Sequence, residues 1–358
     1  MSRGIRLGHI LGIPIAVDYS WFIVFGLISL SLSWGVLPGA VPGLSWWAYL
    51  LLGVVTTGLL FLSVLIHEVA HSVVAQRHGL PVRGITLFIF GGASQLEEEP
   101  ASAAVEFRMA VAGPLTSLAL AAIFFLAYRW VAGAGLRPLA AVTRQLAFIN
   151  LGLALFNMLP GFPLDGGRLL RAAIWSATKN LRKATAMAAS SGQVFGYVLI
   201  ALGIFAFFAG QTVLGVWNAF IGWFLLNAAQ ASYQQLLARQ ALAGVAVAKL
   251  MSHERPEVSP DLTLEQLVHD YLLHYDYNVF PVVEEGRLVG TVGMNEVRSV
   301  DRSQWPSRRV REVAKPASEE QIVGPHFDAW SAIGRLSRGE CECLFVVSEG
   351  QLLGIVNK

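Results

Sequence analysis

The chain has 358 residues, of which 54% are hydrophobic and only 14% are charged, and its formal net charge is +2. A composition this apolar excludes an ordinary soluble enzyme and is typical of a protein embedded in a lipid bilayer. The charges are nearly balanced and form no basic run, so we expect no nucleic acid among the partners.

Six apolar stretches are the first elements that the sequence predicts. A helix needs about 20 mostly apolar residues to cross a bilayer. The stretches that meet or nearly meet this length lie at roughly 15–35, 46–75, 103–130, 139–160, 186–209 and 211–233. Arg3 and Arg6 precede the first stretch, as in a signal peptide, but no convincing small-residue cleavage site follows. We therefore predict that this stretch is a retained span.

Basic residues predict how the spans are oriented, because Lys and Arg accumulate in cytoplasmic loops. The loops predicted on the outer side contain only Arg129 and Arg137. The loops predicted inside contain Arg3, Arg6, Arg77, Arg83, Arg168, Arg171, Lys179, Arg182 and Lys183. This alternation predicts a multi-pass membrane protein with both termini in the cytoplasm. We expect the membrane to be a prokaryotic plasma membrane.

Residues 84–96, between the second and third spans, carry a β-branched and aromatic run that reaches Gly91 and Gly92. The run is typical of a short strand or hairpin. A strand at membrane depth has to be sheltered by protein, because lipid cannot satisfy its backbone groups. A juxtamembrane loop is the alternative, and the sequence leaves the two open.

The composition changes after Tyr233, and from Met251 onward charges, turn residues and short β-type runs alternate. The segment VVEEGRLVG at 282–290 recurs as VVSEGQLLG at 346–354, which indicates two copies of one α/β module. We predict a six-span membrane domain at 1–235, a linker at 236–250 and a soluble cytoplasmic pair at 251–358. The second copy is expected to be truncated, because the chain ends where its last helix should begin.

Two cysteines, Cys341 and Cys343, lie in the second copy. A C-x-C pair puts both thiols on one face of a strand, which suits neither a local disulfide nor a complete metal site. We predict reduced thiols.

The string His67-Glu68-Val69-Ala70-His71 at the end of the second span carries the strongest chemical signal. Residues four apart share a helix face, so both imidazoles can bind one Zn²⁺ while Glu68 accepts a proton from the water on the metal. Ionisable groups in a span are costly to bury and mark function by default. The alternative is that they cap the helix or lie at the interface.

Asp165 is the best candidate for a third ligand. A catalytic zinc ion usually takes three protein ligands and leaves a fourth position for water. Asp165 lies in the string PLDGG, at the end of another span and on the same predicted side as His71. Taken alone, such a string is more often a turn or a helix N-cap. The shared depth favours ligation.

Together these motifs resemble the site-2 protease family of intramembrane zinc metalloproteases. HEVAH matches the family's H-E-x-x-H helix, and the string from Asn157 through Pro160 to Asp165 and Gly166 matches its N-x-x-P-x-x-x-x-D-G element. FGGAS at 90–94 and AGPLTS at 112–117 resemble further family signatures, and the resemblance covers about residues 1–235.

The resemblance implies a six-span core with one Zn²⁺ held by His67, His71 and Asp165, and with Glu68 as the catalytic base. It also implies a substrate that is itself a membrane protein with a transmembrane segment. Water would reach the site through a polar cleft on the cytoplasmic side.

Four further residues are expected to support the site. By the same resemblance, Asn157 and Pro160 would help to position the substrate, and Asn157 is the first candidate for stabilising the oxyanion. A helix hides its carbonyls in internal hydrogen bonds, so the substrate has to unwind before it is cut. We expect the segment around Gly91 and Gly92 to hold the unwound substrate by strand addition.

The soluble half resembles the CBS-domain pair, a module that often binds adenine nucleotides. NVFPVVEEGRLVGTV and FVVSEGQLLGIV carry this likeness. The chain departs from the family at Gly293 and Glu296, where Thr or Ser is commonly followed three residues later by Asp. Two roles stay open: binding an adenine nucleotide, and a structural role in which the pair forms a homodimer.

Other functions also stay open. A membrane transporter with a CBS regulatory module is one, since buried polar residues also mark ion pathways. An inactive metal-binding scaffold is another. The glutamate of H-E-x-x-H discriminates between them and a protease, because a transport site needs ligands but has no use for a positioned base.

Overall fold

The computed structural model describes residues 4–96, 99–252, 254–275, 277–337 and 341–357. The chain divides between Leu236 and Leu237 into two compact units. Arg3 and Lys358, which contribute to the predicted topology and to the predicted truncation, lie outside the described residues.

The N-terminal unit is built mainly from long apolar helices. In chain order the helices are α1 (Tyr19–Ser31), α2 (Leu37–Ala40), α3 (Trp46–Arg77), α4 (Ala103–Gly133), α5 (Arg137–Asn157), α6 (Asp165–Thr178), α7 (Leu181–Phe208) and α8 (Thr212–Leu242). A π-helical turn at Leu32–Val36 joins α1 to α2. In the described part of the chain, six helical segments are long and apolar enough to cross a membrane: Tyr19–Ala40, α3, α4, α5, α7 and α8.

A four-stranded sheet accompanies these helices. Its strands are β1 (Gly4–Ile10), β2 (Ile13–Asp18), β3 (Val82–Phe88) and β4 (Gly91–Leu96). They lie in the order β1-β2-β3-β4, with β2 and β3 parallel and the other pairs antiparallel. Residues 84–96 therefore belong to a hairpin and not to a loop. Of the two alternatives that the sequence left open, the hairpin is confirmed.

The first span was predicted to begin at about residue 15, and that boundary is wrong. Ile13, Ile15 and Val17 are buried while the residues between them are partly exposed, which is the period-two pattern of a strand. The carboxylate of Asp18 accepts a hydrogen bond from the Ser20 N–H at 2.9 Å. This N-cap begins the helix at Tyr19, because the apolar residues before it belong to the sheet.

The turn between α5 and α6 packs tightly on α7. The Phe162 N–H donates to the carbonyl oxygen of Ala188 at 3.1 Å. A Cβ on Gly192 would lie 2.0 Å from the Phe162 carbonyl oxygen, so only glycine permits this approach of the two backbones. The packing fixes where α6 begins, and Asp165 is its first residue.

The C-terminal unit is an α/β fold with one five-stranded sheet. Its helices are α9 (Leu264–Leu267), α10 (Met294–Arg298) and α11 (Ala329–Ser337). Its strands are β5 (Val279–Glu284), β6 (Arg287–Gly293), β7 (Ile322–Val323), β8 (Cys343–Ser348) and β9 (Gln351–Asn357). They lie in the order β5-β6-β9-β8-β7.

The two hairpins of this unit confirm the internal repeat. The β5–β6 turn has positive φ at Glu285 and Gly286, and the β8–β9 turn has positive φ at Glu349 and Gly350. Two consecutive residues with positive φ are typical of the type I′ turn, whose twist matches that of the strands it joins. Both hairpins also shift register between two consecutive valines, Val282 and Val283 in the first and Val346 and Val347 in the second.

Both cysteine side chains are buried, and Cys343 has a free thiol. Burial raises the pKa of the Cys343 thiol to about 12, with a smaller contribution from neighbouring Cys341. The thiol of Cys343 is therefore protonated, and unreactive, at neutral pH.

Candidate metal centre

His67 and His71 lie one helical turn apart on α3, so their side chains project from the same face. Both are buried, and their Nε2 atoms lie 3.1 Å apart. The two imidazoles therefore present nitrogen atoms to a single point inside the N-terminal unit.

Asp165 completes this group from a distant part of the sequence. Its Oδ2 atom lies 3.1 Å from Nε2 of His67 and 3.2 Å from Nε2 of His71. Among the described residues, these three form the group of His, Cys, Asp or Glu side chains close enough to share a metal ion. The structure thus brings together all three of the predicted ligands.

The outer nitrogen of each imidazole is oriented by α4. Nδ1 of His71 lies 2.7 Å from the carbonyl oxygen of Met109. A carbonyl only accepts, so this Nδ1 carries the hydrogen, and in the neutral imidazole Nε2 then keeps its lone pair. Nδ1 of His67 lies 2.8 Å from Oγ of Ser117, which can accept in the same way. Such partners fix the tautomer that a metal ligand needs.

This donor set fits a zinc ion. Two neutral imidazoles and a carboxylate supply two nitrogens and one oxygen, which are ligands that Zn²⁺ prefers. Three electron-rich atoms at 3.1–3.2 Å from one another repel unless a proton or a metal ion lies among them. The residues present therefore suit the metal that the H-E-x-x-H spacing predicts.

Gly113 leaves the room for this group. A Cβ built on Gly113 would lie 2.2 Å from Nε2 of His71 and 2.5 Å from Nε2 of His67. At position 113, therefore, only glycine leaves room for the imidazoles beside α4. Motif spacing assigned no role to Gly113, Met109 or Ser117, although the string AGPLTS that contains Gly113 and Ser117 was noted as a family signature.

Glu68 lies between the metal ligands and the edge of the sheet. Oγ of Ser94, on β4, donates a hydrogen bond to Oε2 of Glu68 at 3.1 Å. A Cβ on Gly92 would lie 2.5 Å from Cγ of Glu68, so β4 can approach the glutamate closely only because residue 92 is glycine. In the described part of the chain β4 is the outermost strand on its side of the sheet.

The other predicted support residues have different environments. Gly91 has φ of +124°, a conformation that favours glycine, at the start of β4. Pro160 lies in the turn before α6, where its carbonyl oxygen accepts a hydrogen bond from Ser191. Asn157 is the last residue of α5, and within the described ranges no hydrogen bond joins its side chain to the three candidate ligands.

Two buried histidines on one turn of a helix, a carboxylate and an adjacent glutamate define the class of metal-dependent hydrolases, here inside a bundle of apolar helices. The sequence profile of peptidase family M50 matches residues 55–137 and 136–203, and that of the CBS domain matches residues 247–302.

Two relatives of nearly the same length agree with this class. Rip3 of Mycobacterium tuberculosis, which its name places among zinc metalloproteases, is 37% identical over 360 residues, covering 99% of this chain and 91% of the relative. A zinc metalloprotease of Methanocaldococcus jannaschii is 28% identical, covering 100% and 95% of the two chains. The solved site-2 protease from the same organism matches with a TM-score of 0.45 and 26% identity, over 64% of this chain and 95% of that one.

The chain belongs to peptidase family M50, the site-2 protease family, and is a zinc metalloprotease with a C-terminal CBS domain and, among its described residues, six membrane-capable helical segments. The predicted family and enzyme class are confirmed. The comparisons favour the protease over the transporter and the inactive scaffold.

Proposed function

We propose that this protein hydrolyses peptide bonds in or near the transmembrane segments of other membrane proteins, as in regulated intramembrane proteolysis. His67, His71 and Asp165 hold the zinc ion, and Glu68 is the catalytic base. The observation that carries the proposal is the convergence of three ligand atoms, 3.1–3.2 Å apart, beside that glutamate.

A zinc ion held by these residues would act as a Lewis acid and would lower the pKa of water at the site from 15.7 to about 7. Glu68 accepts a proton from the attacking water and later returns it to the leaving amine. Ser94 holds Oε2 of Glu68 at 3.1 Å, which leaves Oε1 for the proton. Asn157 is the candidate donor for the oxyanion, and Pro160 helps to shape the turn between it and Asp165.

The substrate is proposed to bind as an added strand on β4. An extended peptide pairs with an exposed sheet edge through its backbone, which works for many sequences. Gly92 and Ser94 belong to β4 and contact Glu68, so a peptide on this edge would have its carbonyls near the base. Unwinding of the substrate helix would precede this step, because helical carbonyls are already hydrogen-bonded.

The orientation of the protein is also a proposal. Basic residues in the predicted inner loops favour cytoplasmic N- and C-termini in a prokaryotic plasma membrane. The membrane domain would occupy residues 1–235, and the CBS pair at 251–358 would lie in the cytoplasm after a linker at 236–250.

We propose that the CBS pair regulates cleavage by binding an adenine nucleotide. The alternative is a structural role in which the pair forms a homodimer. Glu296 occupies the position where the CBS family commonly has a ribose-binding Asp. Its carboxylate accepts hydrogen bonds from Lys315 Nζ at 2.9 Å and from the Gly293 N–H at 3.0 Å. Partial burial alone would raise its pKa, but these bonds and the Lys315 charge lower it. A ribose that bonded to this carboxylate would compete with Lys315 for it.

Zinc content and cleavage of a reconstituted transmembrane reporter test the catalytic proposal. Wild type should contain one zinc per chain and cut the reporter, and a chelator should stop cleavage. Glu68→Gln keeps the size of the side chain but removes the base, so zinc should stay while cleavage falls by at least about 100-fold. Cleavage by Glu68→Gln at the wild-type rate would contradict the role of Glu68 as base.

A further inference from the structure

A buried ion pair joins α4 to α6. Arg171 on α6 is 8% exposed and Glu106 on α4 is 1% exposed. Nε of Arg171 donates to Oε1 of Glu106 at 2.5 Å, and Nη2 donates to Oε2 of Glu99 at 3.2 Å. The guanidinium also lies over the ring of Phe162, 5.2 Å from its centroid. One cation thus connects α4, the segment before α4 and the turn before α6.

Stability alone does not explain this pair. Burying two charges costs desolvation that their attraction often fails to offset, and well-packed apolar residues in the same place are often neutral or stabilising. Oε2 of Glu106 has no hydrogen-bond partner within the described residues, so the network is incompletely satisfied. The charged pair does provide a defined relative position of α4 and α6, because a guanidinium and a carboxylate bond in a restricted geometry.

The two helices that the pair joins carry complementary parts of the metal centre. Three residues after Glu106, the carbonyl of Met109 orients His71, and further along α4 Ser117 orients His67. The other helix, α6, begins with Asp165. Because α4 orients both imidazoles of α3 and α6 carries Asp165, the separation of α4 and α6 affects how far Oδ2 of Asp165 lies from the two imidazole nitrogens.

We propose that Glu106 and Arg171 form a positioning pair, which holds Asp165 at its distance from His67 and His71 and thereby raises the affinity of the centre for its divalent metal. The inference rests on the proposed function, since it takes those three residues as ligands. In the described structure neither member of the pair hydrogen-bonds to a ligand side chain, so both act through their helices.

The dissociation constant for Zn²⁺, measured by competition with chelators on the full-length protein in detergent, tests the proposal. Arg171→Met keeps the length of the side chain but removes the charge, and should weaken zinc binding by about tenfold, the lower end of the effect of residues behind metal ligands. Glu106→Gln keeps the shape and serves if Arg171→Met does not fold. Arg171→Lys restores the charge and should recover part of the affinity.

A second cycle separates positioning from general loss of structure. If the pair acts through Asp165, Arg171→Met should change zinc affinity in the wild-type background but not in the Asp165→Ala background, because coupled residues give non-additive effects. An equal loss in both backgrounds, or no loss in either, would overturn the proposal and leave the pair a structural contact.

Leu37→Ala is the matched control for stability. Leu37 is 1% exposed and packs in a cluster drawn from α1, α2, α3 and α5 and the turns between them, away from the pair. It should lower Tm without changing the zinc dissociation constant. A similar loss of zinc affinity in Leu37→Ala would show that any destabilisation has this effect and would overturn the assignment.

Failure of the proposed function has a different signature. If His67→Ala and Asp165→Ala both bind zinc as tightly as wild type, these residues are not the ligands and both proposals fall. If those variants lose zinc while Arg171→Met and Glu106→Gln bind it normally, only the positioning role is overturned.

Discussion

At the scale of single residues, the metal centre depends on a glycine, Gly113, because it has no side chain. Gly113 lies where any Cβ would meet both imidazole nitrogens at 2.2 and 2.5 Å. Contacts this short can be relieved only if the imidazoles move, because a Cβ has no rotamer of its own. Space at residue 113 is therefore as necessary as the histidines that use it.

Gly113→Ala should weaken zinc binding by more than about tenfold, because the added methyl group pushes the imidazoles away from Asp165. Zinc content and the zinc dissociation constant measure the effect. Gly133→Ala is the matched control, since Gly133 is on the same helix and a Cβ there meets nothing within 4 Å. Normal zinc binding by Gly113→Ala would show that the metal lies elsewhere.

The thiol of Cys343 should resist alkylation in the folded protein. Its pKa is raised to about 12, so the reactive thiolate is scarce at pH 8 and increases about tenfold with each pH unit up to the pKa. Iodoacetamide labelling followed by mass spectrometry should find little modification before unfolding and complete modification in denaturant. Rapid labelling of the native protein at pH 8 would contradict the burial of Cys343.

At the scale of elements, β4 brings the sheet to the base. The strand runs close to α3 at Glu68, where Gly92 permits the approach and Ser94 supplies a hydrogen bond. β4 has therefore two candidate roles at once: it orients the base, and its outer edge is available for a substrate strand. Both roles depend on the hairpin that the sequence left undecided.

Gly92→Ala should separate catalysis from metal binding. Its Cβ would lie 2.5 Å from Cγ of Glu68 and displace the base, so cleavage should fall by about 100-fold while zinc binding stays normal. Gly58→Ala is the control. Gly58 is on α3, the helix that carries Glu68, and a Cβ there meets nothing within 4 Å. Unchanged cleavage by Gly92→Ala, or by a bulkier residue at Gly91 and Gly92, would count against both roles of β4.

At the scale of the whole molecule, the candidate centre lies entirely in one unit. Its ligands, the base and the support residues all precede the division at Leu236, and the CBS unit follows it. Metal binding therefore has no need of the C-terminal unit, whereas regulation, as proposed, requires that unit.

A chain that ends after Leu242, the last residue of α8, should keep one zinc per chain and the ability to cut the reporter. Metal analysis and the cleavage assay test this in the same preparation. Adenosine nucleotides should alter cleavage by the full-length protein and leave the shortened chain unaffected. Equal responses of the two chains would contradict regulation through the CBS unit.

The sequence by itself determined the features that depend on local patterns. Apolar stretches of about 20 residues predict spans. A spacing of four residues places His67 and His71 on one helix face. The recurrence of VVEEGRLVG as VVSEGQLLG predicts two copies of one module. These signals lie within one element, so composition and periodicity are enough to find them. The metal ligands and the base were also named from sequence, and their roles stay predictions until zinc and cleavage are measured.

Only the tertiary structure decided what brings those elements together. The N-terminal strands β1 and β2 were missed, because Ile15 and Val17 resemble the start of an apolar span and their pairing with β3 is not visible in the sequence. Met109 orients His71 through a backbone carbonyl, a group that every residue has and that leaves no mark in the sequence. Arg171 and Glu106 are 65 positions apart, and such pairs depend on how helices pack rather than on any local spacing.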